Sequence, residues 1–259
     1  MLEVNRLGEK VGAEIFGVDV RDLADEDFAV IYQTWLDCNV ICVRDQSLDA
    51  VEEFFAYSRR FGRLHEHPSK STRHSEYPEL TVLGTDKFNA DGSLNEAVYA
   101  RGGENWHTDG AYDEVSFKAT QLYALAIPST GGDTLFSSMY AAYGALPERL
   151  KDRIGERRGA FTYAGRSTRS AQLLNPEDRD WTPVMHPILR THPETGRKGL
   201  YFDPGKIVAV EGLEESESDD LIDELKTYMI QPEGQYRHKW RKGDIVIWDN
   251  RCTYHKAAA

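Results

Sequence analysis

The chain has 259 residues, enough for one large core or two small domains, and carries a formal net charge of −12. This charge disfavours nucleic acid as a partner, because a polyanion would be repelled. The sequence contains neither a secretion signal nor an apolar run of the roughly 20 residues that a bilayer-spanning helix needs. We therefore predict a cytoplasmic protein that binds neither nucleic acid nor membrane. No Pro/Ser-rich linker divides the sequence, so we predict a single domain over residues 1–259.

The predicted elements alternate between short apolar runs and amphipathic segments. Strands are predicted at 13–20, 40–43, 80–83, 121–127, 159–163, 187–190, 199–202 and 244–248, and helices at 25–37, 50–61, 139–147 and 216–228. Many strands with few helices indicate an α+β fold that is mainly β. They fit a double-stranded β-helix, or jelly-roll, core with flanking helices, while a different mixed α+β fold remains the alternative. The three cysteines are an odd count without a secretion signal, which argues against a disulfide framework.

Two separated segments carry candidate metal ligands. His107 and Asp109 stand two residues apart, so both side chains can lie on one side of an extended segment. His255, far downstream, can supply a third ligand from another strand. Two imidazoles and one carboxylate are the set that binds nonheme Fe(II) and leaves positions open for oxygen chemistry. Taken alone, the His-x-Asp spacing equally fits a histidine that is hydrogen-bonded to a nearby carboxylate in a turn.

Four ordered motifs give the chain a family resemblance. They are Trp-His-Thr-Asp at 106–109, Gly-Gly-Asp-Thr at 131–134 with the helical pattern at 139–147, Gly-Arg-Lys-x-Leu-Tyr at 196–201, and the run 243–251 before His255. Together they resemble the taurine dioxygenase / 2,4-dichlorophenoxyacetate dioxygenase family of Fe(II)/2-oxoglutarate-dependent oxygenases. The resemblance covers nearly the whole chain and implies the same double-stranded β-helix core.

The resemblance implies a function and its cofactors. It implies that His107, Asp109 and His255 hold Fe(II), and that 2-oxoglutarate and O2 are cosubstrates. The expected reaction oxidises an unactivated C–H bond of a small, anionic molecule and releases succinate and CO2. Thr134 is expected to donate its hydroxyl to the far carboxylate of 2-oxoglutarate. The alternative role for this threonine is capping its own turn.

In the family, arginines on the strand after the second ligand histidine also hold 2-oxoglutarate. The sequence ends at Ala259, before that strand. We therefore expect the domain as given to lack its C-terminal strand and tail.

Three residues are predicted to contact substrate. The resemblance places His67 at a substrate-contacting position, and Tyr99 lies in a polar, Gly-rich segment that could cover the pocket. Lys70 replaces the tyrosine that is specific for taurine, which argues against taurine and leaves another small acid. A loop histidine in water is the alternative for His67.

Two other functions remain open on sequence grounds. One is a metal enzyme without oxidation chemistry on the same barrel, and the other is a noncatalytic metal-binding protein that has lost the cosubstrate clamp. A homo-oligomer is one option that the sequence leaves undecided.

Overall fold

The computed structural model describes residues 1–8, 10–66, 74–84, 103, 105–165 and 182–258. Within these ranges the chain forms thirteen strands and five α-helices. The strands are β1 Glu3–Arg6, β2 Ala13–Phe16, β3 Val40–Val43, β4 Ala119–Tyr123, β5 Thr134–Ser138, β6 Arg158–Phe161, β7 Val184–Pro187, β8 Leu189–Thr191, β9 Lys198–Leu200, β10 Ile207–Val210, β11 Gln235–His238, β12 Ile245–Asp249 and β13 Thr253–Ala257. The helices are α1 Asp25–Cys38, α2 Val51–Arg59, α3 Met139–Ala145, α4 Glu148–Ile154 and α5 Glu215–Lys226.

The largest sheet has five strands in the order β1-β2-β3-β12-β4. Its pairs are antiparallel except for the parallel β2/β3 pair. Smaller antiparallel sheets follow the orders β11-β5-β13, β10-β6-β7 and β8-β9. Strand β12 is buried at all five of its positions. Since both of its faces are covered, its sequence is apolar almost throughout rather than alternating.

The two faces of the five-stranded sheet pack against different partners. On one face, Ile31 and Trp35 of α1 join Ile245 and Ile247 of β12 in one apolar cluster. On the other face, Val246 and Trp248 pack with Phe136 of β5. The sheet containing β5 and β13 therefore lies against the face of β12 that α1 does not cover, and the two sheets enclose an apolar layer.

Most predicted elements form, but two strand predictions need correction. The predicted strand at 80–83 is wrong, because the Leu80 amide bonds to the Tyr77 carbonyl in a turn and Val82 and Leu83 are exposed. The prediction at 121–127 extends too far, since β4 ends at Tyr123, which pairs with Ile245, the first residue of β12. In both places the sequence is apolar enough for a strand, but a partner strand is needed to continue the ladder.

Other element boundaries also differ from the predictions. The predicted strand at 13–20 is shorter, with β2 ending at Phe16, and the one at 187–190 is divided between β7 and β8. None of the described helices has the length and apolar character needed to cross a membrane. Cys38, Cys42 and Cys252 are buried free thiols, which agrees with the prediction that they do not form a disulfide framework.

A buried ion-pair network holds the turn between β12 and β13. Arg251 contacts Asp249 at 2.6 Å and Glu194 at 2.6 Å, and His192 lies 3.0 Å from the same Asp249 carboxylate. The Arg251 and Asp249 side chains are only 7% and 1% exposed. Arg251 therefore acts as an ion-pairing residue within this turn. Because β13 carries His255, this turn sets the position at which the strand that bears the His255 imidazole begins. We call the set the Arg251 network; its members are Tyr32, Lys118, His192, Glu194, Asp249 and Arg251.

Glu194 should make the stability of the protein depend on acid pH. Burial alone would raise its pKa, but hydrogen bonds from Tyr32 and Arg251 lower the pKa of Glu194 from 4.5 to about 2. Its contribution to stability is therefore complete above the unfolded value of 4.5 and is lost as the pH falls through about 2. Urea midpoints of wild type and Glu194→Gln should differ near neutral pH and converge as the pH falls. A constant difference would contradict this prediction, and the exposed Glu215→Gln serves as the control.

Candidate metal centre

His107 and His255 lie opposite each other in an isolated antiparallel bridge. The His107 amide donates to the His255 carbonyl at 3.1 Å, and the His255 amide donates to the His107 carbonyl at 2.8 Å. Residues that exchange both bonds stand directly opposite, with their side chains on the same face. The two imidazole rings accordingly lie 4.1 Å apart between centroids. Backbone pairing thus joins the two segments that the sequence analysis singled out.

Asp109 completes the group. Its Oδ1 lies 3.8 Å from Nε2 of His107, and its Oδ2 lies 3.6 Å from Nε2 of His255. Metal bonds to nitrogen and oxygen ligands are about 2.1 Å long, so two ligand atoms up to about 4 Å apart can share one ion. Thr108, between the two ligands, is buried and donates its hydroxyl to the Asn250 carbonyl at 2.7 Å. The predicted i, i+2 geometry therefore brings the side chains of His107 and Asp109 together.

Both imidazoles suit a metal ion. Nδ1 of His107 lies 2.8 Å from the Asn105 carbonyl, which accepts but cannot donate, so the ring carries its proton there and its Nε2 lone pair is available. Burial lowers the pKa of His255 to about 3, with the Asp109 carboxylate offsetting this in part and His107 adding to it. His255 is therefore neutral at pH 7, and its Nδ1 is buried with no hydrogen-bond partner among the described residues. This donor set fits Fe(II).

Among the described residues, two other buried groups bring ligand-type atoms equally close. They are Cys42 with His238 and Asp244, and His192 with Asp249 and Cys252. Arginine already occupies the carboxylate in each group, since Arg44 contacts Asp244 at 2.5 Å and Arg251 contacts Asp249 at 2.6 Å. A metal ion would have to displace a buried guanidinium, so these groups are structural ion pairs rather than metal centres.

Thr134 lies on the same side of its sheet as His255. It pairs with Ala257 of β13, while Phe136, two residues along β5, pairs with His255. Alternate residues of a strand share a face, so the Thr134 and His255 side chains point the same way, with one residue pair between them. The Thr134 hydroxyl oxygen accepts a hydrogen bond from Nε1 of Trp240 at 3.0 Å. This partner lies on another segment of the chain.

The predicted substrate contacts His67, Lys70 and Tyr99 lie outside the described residues. The structure adds Lys206, which the sequence analysis did not select. Its amino group donates to the Tyr163 carbonyl at 2.6 Å and lies 5.5 Å from the centre of the Tyr112 ring. Burial lowers the pKa of Lys206, and the charges of Asp203 and Asp109 raise it in part, so this cation interacts electrostatically with one of the candidate ligands. The sequence around Lys206, a single lysine after Pro-Gly, does not indicate that its side chain would be partly buried near the candidate site.

Two imidazoles and one carboxylate on a strand-rich fold define the class of nonheme metal enzymes with an open coordination face. The family model described as taurine catabolism dioxygenase TauD, TfdA family matches residues 3–259. An (S)-phenoxypropionate/alpha-ketoglutarate-dioxygenase of Sphingobium herbicidovorans is 33% identical, with the alignment covering 98% of this chain and 88% of that protein. An alpha-ketoglutarate-dependent 2,4-dichlorophenoxyacetate dioxygenase of Cupriavidus pinatubonensis is 30% identical, with coverage of 97% and 90%.

Solved structures agree with the relatives. The crystal structure of a taurine dioxygenase from Burkholderia xenovorans has a TM-score of 0.79 at 28% identity and covers 100% of this chain and 83% of that one. The chain belongs to the TauD, TfdA family. It is an Fe(II)- and 2-oxoglutarate-dependent dioxygenase that acts on a small molecule with O2 as the other cosubstrate, 2-oxoglutarate being another name for alpha-ketoglutarate.

Proposed function

We propose that His107, Asp109 and His255 hold the Fe(II) of this dioxygenase and that Thr134 binds 2-oxoglutarate. The observation that carries the proposal is the convergence of the three ligand side chains, whose donor atoms all lie within 4.8 Å of one another. We also propose that residues 1–259 form one domain with a double-stranded β-helix core. The two sheets that face each other across Phe136 and Trp248 support that architecture.

The protein's own residues position the proposed ligands, set the protonation of the two imidazoles and exclude water from one side of the site. The Asn105 carbonyl holds the proton of His107 on Nδ1, and burial keeps His255 neutral. Phe136 and Trp248 pack near the His255 ring, at 6.3 and 4.7 Å between centroids, and exclude water from that side. Trp240 donates into the Thr134 oxygen, so the Thr134 proton can point to a carboxylate. When bound, Fe(II) and 2-oxoglutarate supply O2 activation, in which one oxygen atom enters succinate, CO2 leaves, and the other oxygen oxidises a C–H bond.

The proposed substrate is a small organic anion with an unactivated C–H bond. Two relatives are named for phenoxypropionate and 2,4-dichlorophenoxyacetate, both carboxylates. Lys206 supports an anion here, because it is a partly buried cation that interacts electrostatically with Asp109. His67, Lys70 and Tyr99 are proposed to contact the same molecule. A cytoplasmic location, the absence of nucleic acid and membrane partners, and assembly into a homo-oligomer all stay predictions.

The test begins without oxygen. Adding Fe(II) and 2-oxoglutarate to the protein should produce the visible charge-transfer band of the chelate. Small carboxylates and sulfonates, with taurine included, are then screened in air for succinate release that depends on substrate. Absence of the band would overturn the proposed site. Turnover with Zn(II) in the absence of oxygen would support the nonoxidative alternative instead.

Removing the charge of Lys206 should weaken substrate binding specifically. A hydrogen bond to a charged group contributes about 1.5–3 kcal/mol, so Lys206→Met should raise KM for an anionic substrate by about ten- to a hundredfold. Slow 2-oxoglutarate turnover without substrate should change less than KM, since the Lys206 amino group donates to the Tyr163 carbonyl rather than to a proposed ligand. Lys226→Met, on the surface of α5, is the control. Unchanged KM in Lys206→Met would contradict the assignment.

A further inference from the structure

Asp109 is held by a residue of β4, the strand that follows it in the sequence. The hydroxyl of Thr120, on β4, donates to Oδ2 of Asp109 at 2.7 Å. Thr120 pairs with Trp248 of β12 in the five-stranded sheet. Its position is therefore set by the sheet, independently of the segment that carries the ligand.

The direction of this hydrogen bond follows from the groups behind it. Nε1 of Trp248 can only donate, and it lies 3.0 Å from the side-chain oxygen of Asn250. The Asn250 amide nitrogen therefore faces Thr120, and it donates to the threonine oxygen at 2.8 Å. Thr120 has a single proton, which is then directed to the Asp109 carboxylate. Each of these three hydrogen bonds therefore donates in the direction from Trp248 toward Asp109.

Asn250 also holds the backbone of the ligand. Its side-chain oxygen accepts a hydrogen bond from the Asp109 amide at 3.3 Å, while its carbonyl accepts from the Thr108 hydroxyl. Asn250 is completely buried, and Trp248 is 2% exposed. Main chain and carboxylate of Asp109 are thus tied to the same rigid support.

We propose that Thr120 and Asn250 are positioning residues that set the rotation of the Asp109 carboxylate before the metal binds. The inference rests on the proposed function of the His107, Asp109 and His255 site. A carboxylate that is already oriented loses less conformational freedom when it becomes a ligand, and partners of this kind change metal affinity by about ten- to a hundredfold. Neither residue needs to contact substrate or metal for this effect.

The decisive variant is Thr120→Val, which keeps the branched shape of the side chain and removes the hydroxyl. Mn(II) is titrated anaerobically into the purified full chain by calorimetry, without 2-oxoglutarate or substrate. The dissociation constant should rise by about ten- to a hundredfold. Thr120→Ser, which restores a hydroxyl, should bind close to wild-type affinity. Thr34→Val is the matched control, because the Thr34 hydroxyl bonds to the Val30 carbonyl within α1.

Folding is checked by circular dichroism, so that affinity is compared between folded proteins. Equal affinity of Thr120→Val and wild type overturns the inference while leaving the proposed metal site intact. Weak binding by both Thr120→Val and Thr120→Ser also overturns it, since the hydroxyl would then not be responsible. A wild-type protein that binds neither Mn(II) nor Fe(II) overturns the proposed function and this inference with it.

Discussion

Replacing Asp109 by alanine is expected to abolish metal binding at micromolar concentrations and, with it, all 2-oxoglutarate turnover. The carboxylate is the only anionic donor of the described ligand group, and it lies within 4 Å of both imidazole Nε2 atoms. Outer-shell partners alone are worth about ten- to a hundredfold in affinity, so loss of a direct ligand should exceed about a hundredfold. Mn(II) calorimetry and the anaerobic charge-transfer band measure the two effects.

A second aspartate separates this role from a general effect of charge. Asp37 of α1 is also partly exposed, at 38% against 26% for Asp109, and it is ion-paired with Arg6 of β1. Asp37→Ala removes the same charge from the same protein and should leave Mn(II) affinity and turnover unchanged. If Asp109→Ala retained the affinity of wild type, the three side chains would not form the metal centre.

The proposed ligands could be selected from the sequence because two of them stand close together in it. His107 and Asp109 need only an extended backbone to share a side, and the motif resemblance supplied His255. Thr120 could not be found in this way. Its bond to Asp109 depends on the register of β4 against β12, where Thr120 faces Trp248. A threonine inside an apolar strand carries no signal of that pairing.

For the fold as well, elements set by local spacing could be predicted from the sequence, whereas strands that depend on a partner could not. Helix α1 follows from its own spacing, since Ile31 and Trp35 fall on one buried face, and β3 matches its predicted bounds of 40–43. The failures at 80–83 and 124–127 concern segments whose apolar residues remain exposed, including Leu83 and Leu125. Whether such a run becomes a strand depends on the length of its neighbour, and one sequence segment does not contain that information.

The largest loss of stability is expected from Asp249→Ala. Burial alone would raise the pKa of Asp249, but hydrogen bonds from Arg251 and His192 lower it on balance, so the carboxylate is ionised at neutral pH. Its removal would leave the Arg251 guanidinium buried beside a single partner, Glu194. Breaking a buried pair in this way costs about 3–5 kcal/mol. A typical domain has only about 5–15 kcal/mol in total, so the urea midpoint should fall far below that of wild type.

Asp249→Ala should also affect the proposed metal centre, because the turn it disturbs leads into the strand that carries His255. The turn that Asp249 and Arg251 fix leads directly into β13, where His255 forms its bridge with His107. Asp249→Ala protein that remains folded should therefore bind Mn(II) more weakly than wild type. Asp223→Ala is the control, because Asp223 is 74% exposed and its pair with Lys226 lies in solvent. Equal urea midpoints for Asp249→Ala and Asp223→Ala would show that the Arg251 network does not hold this turn.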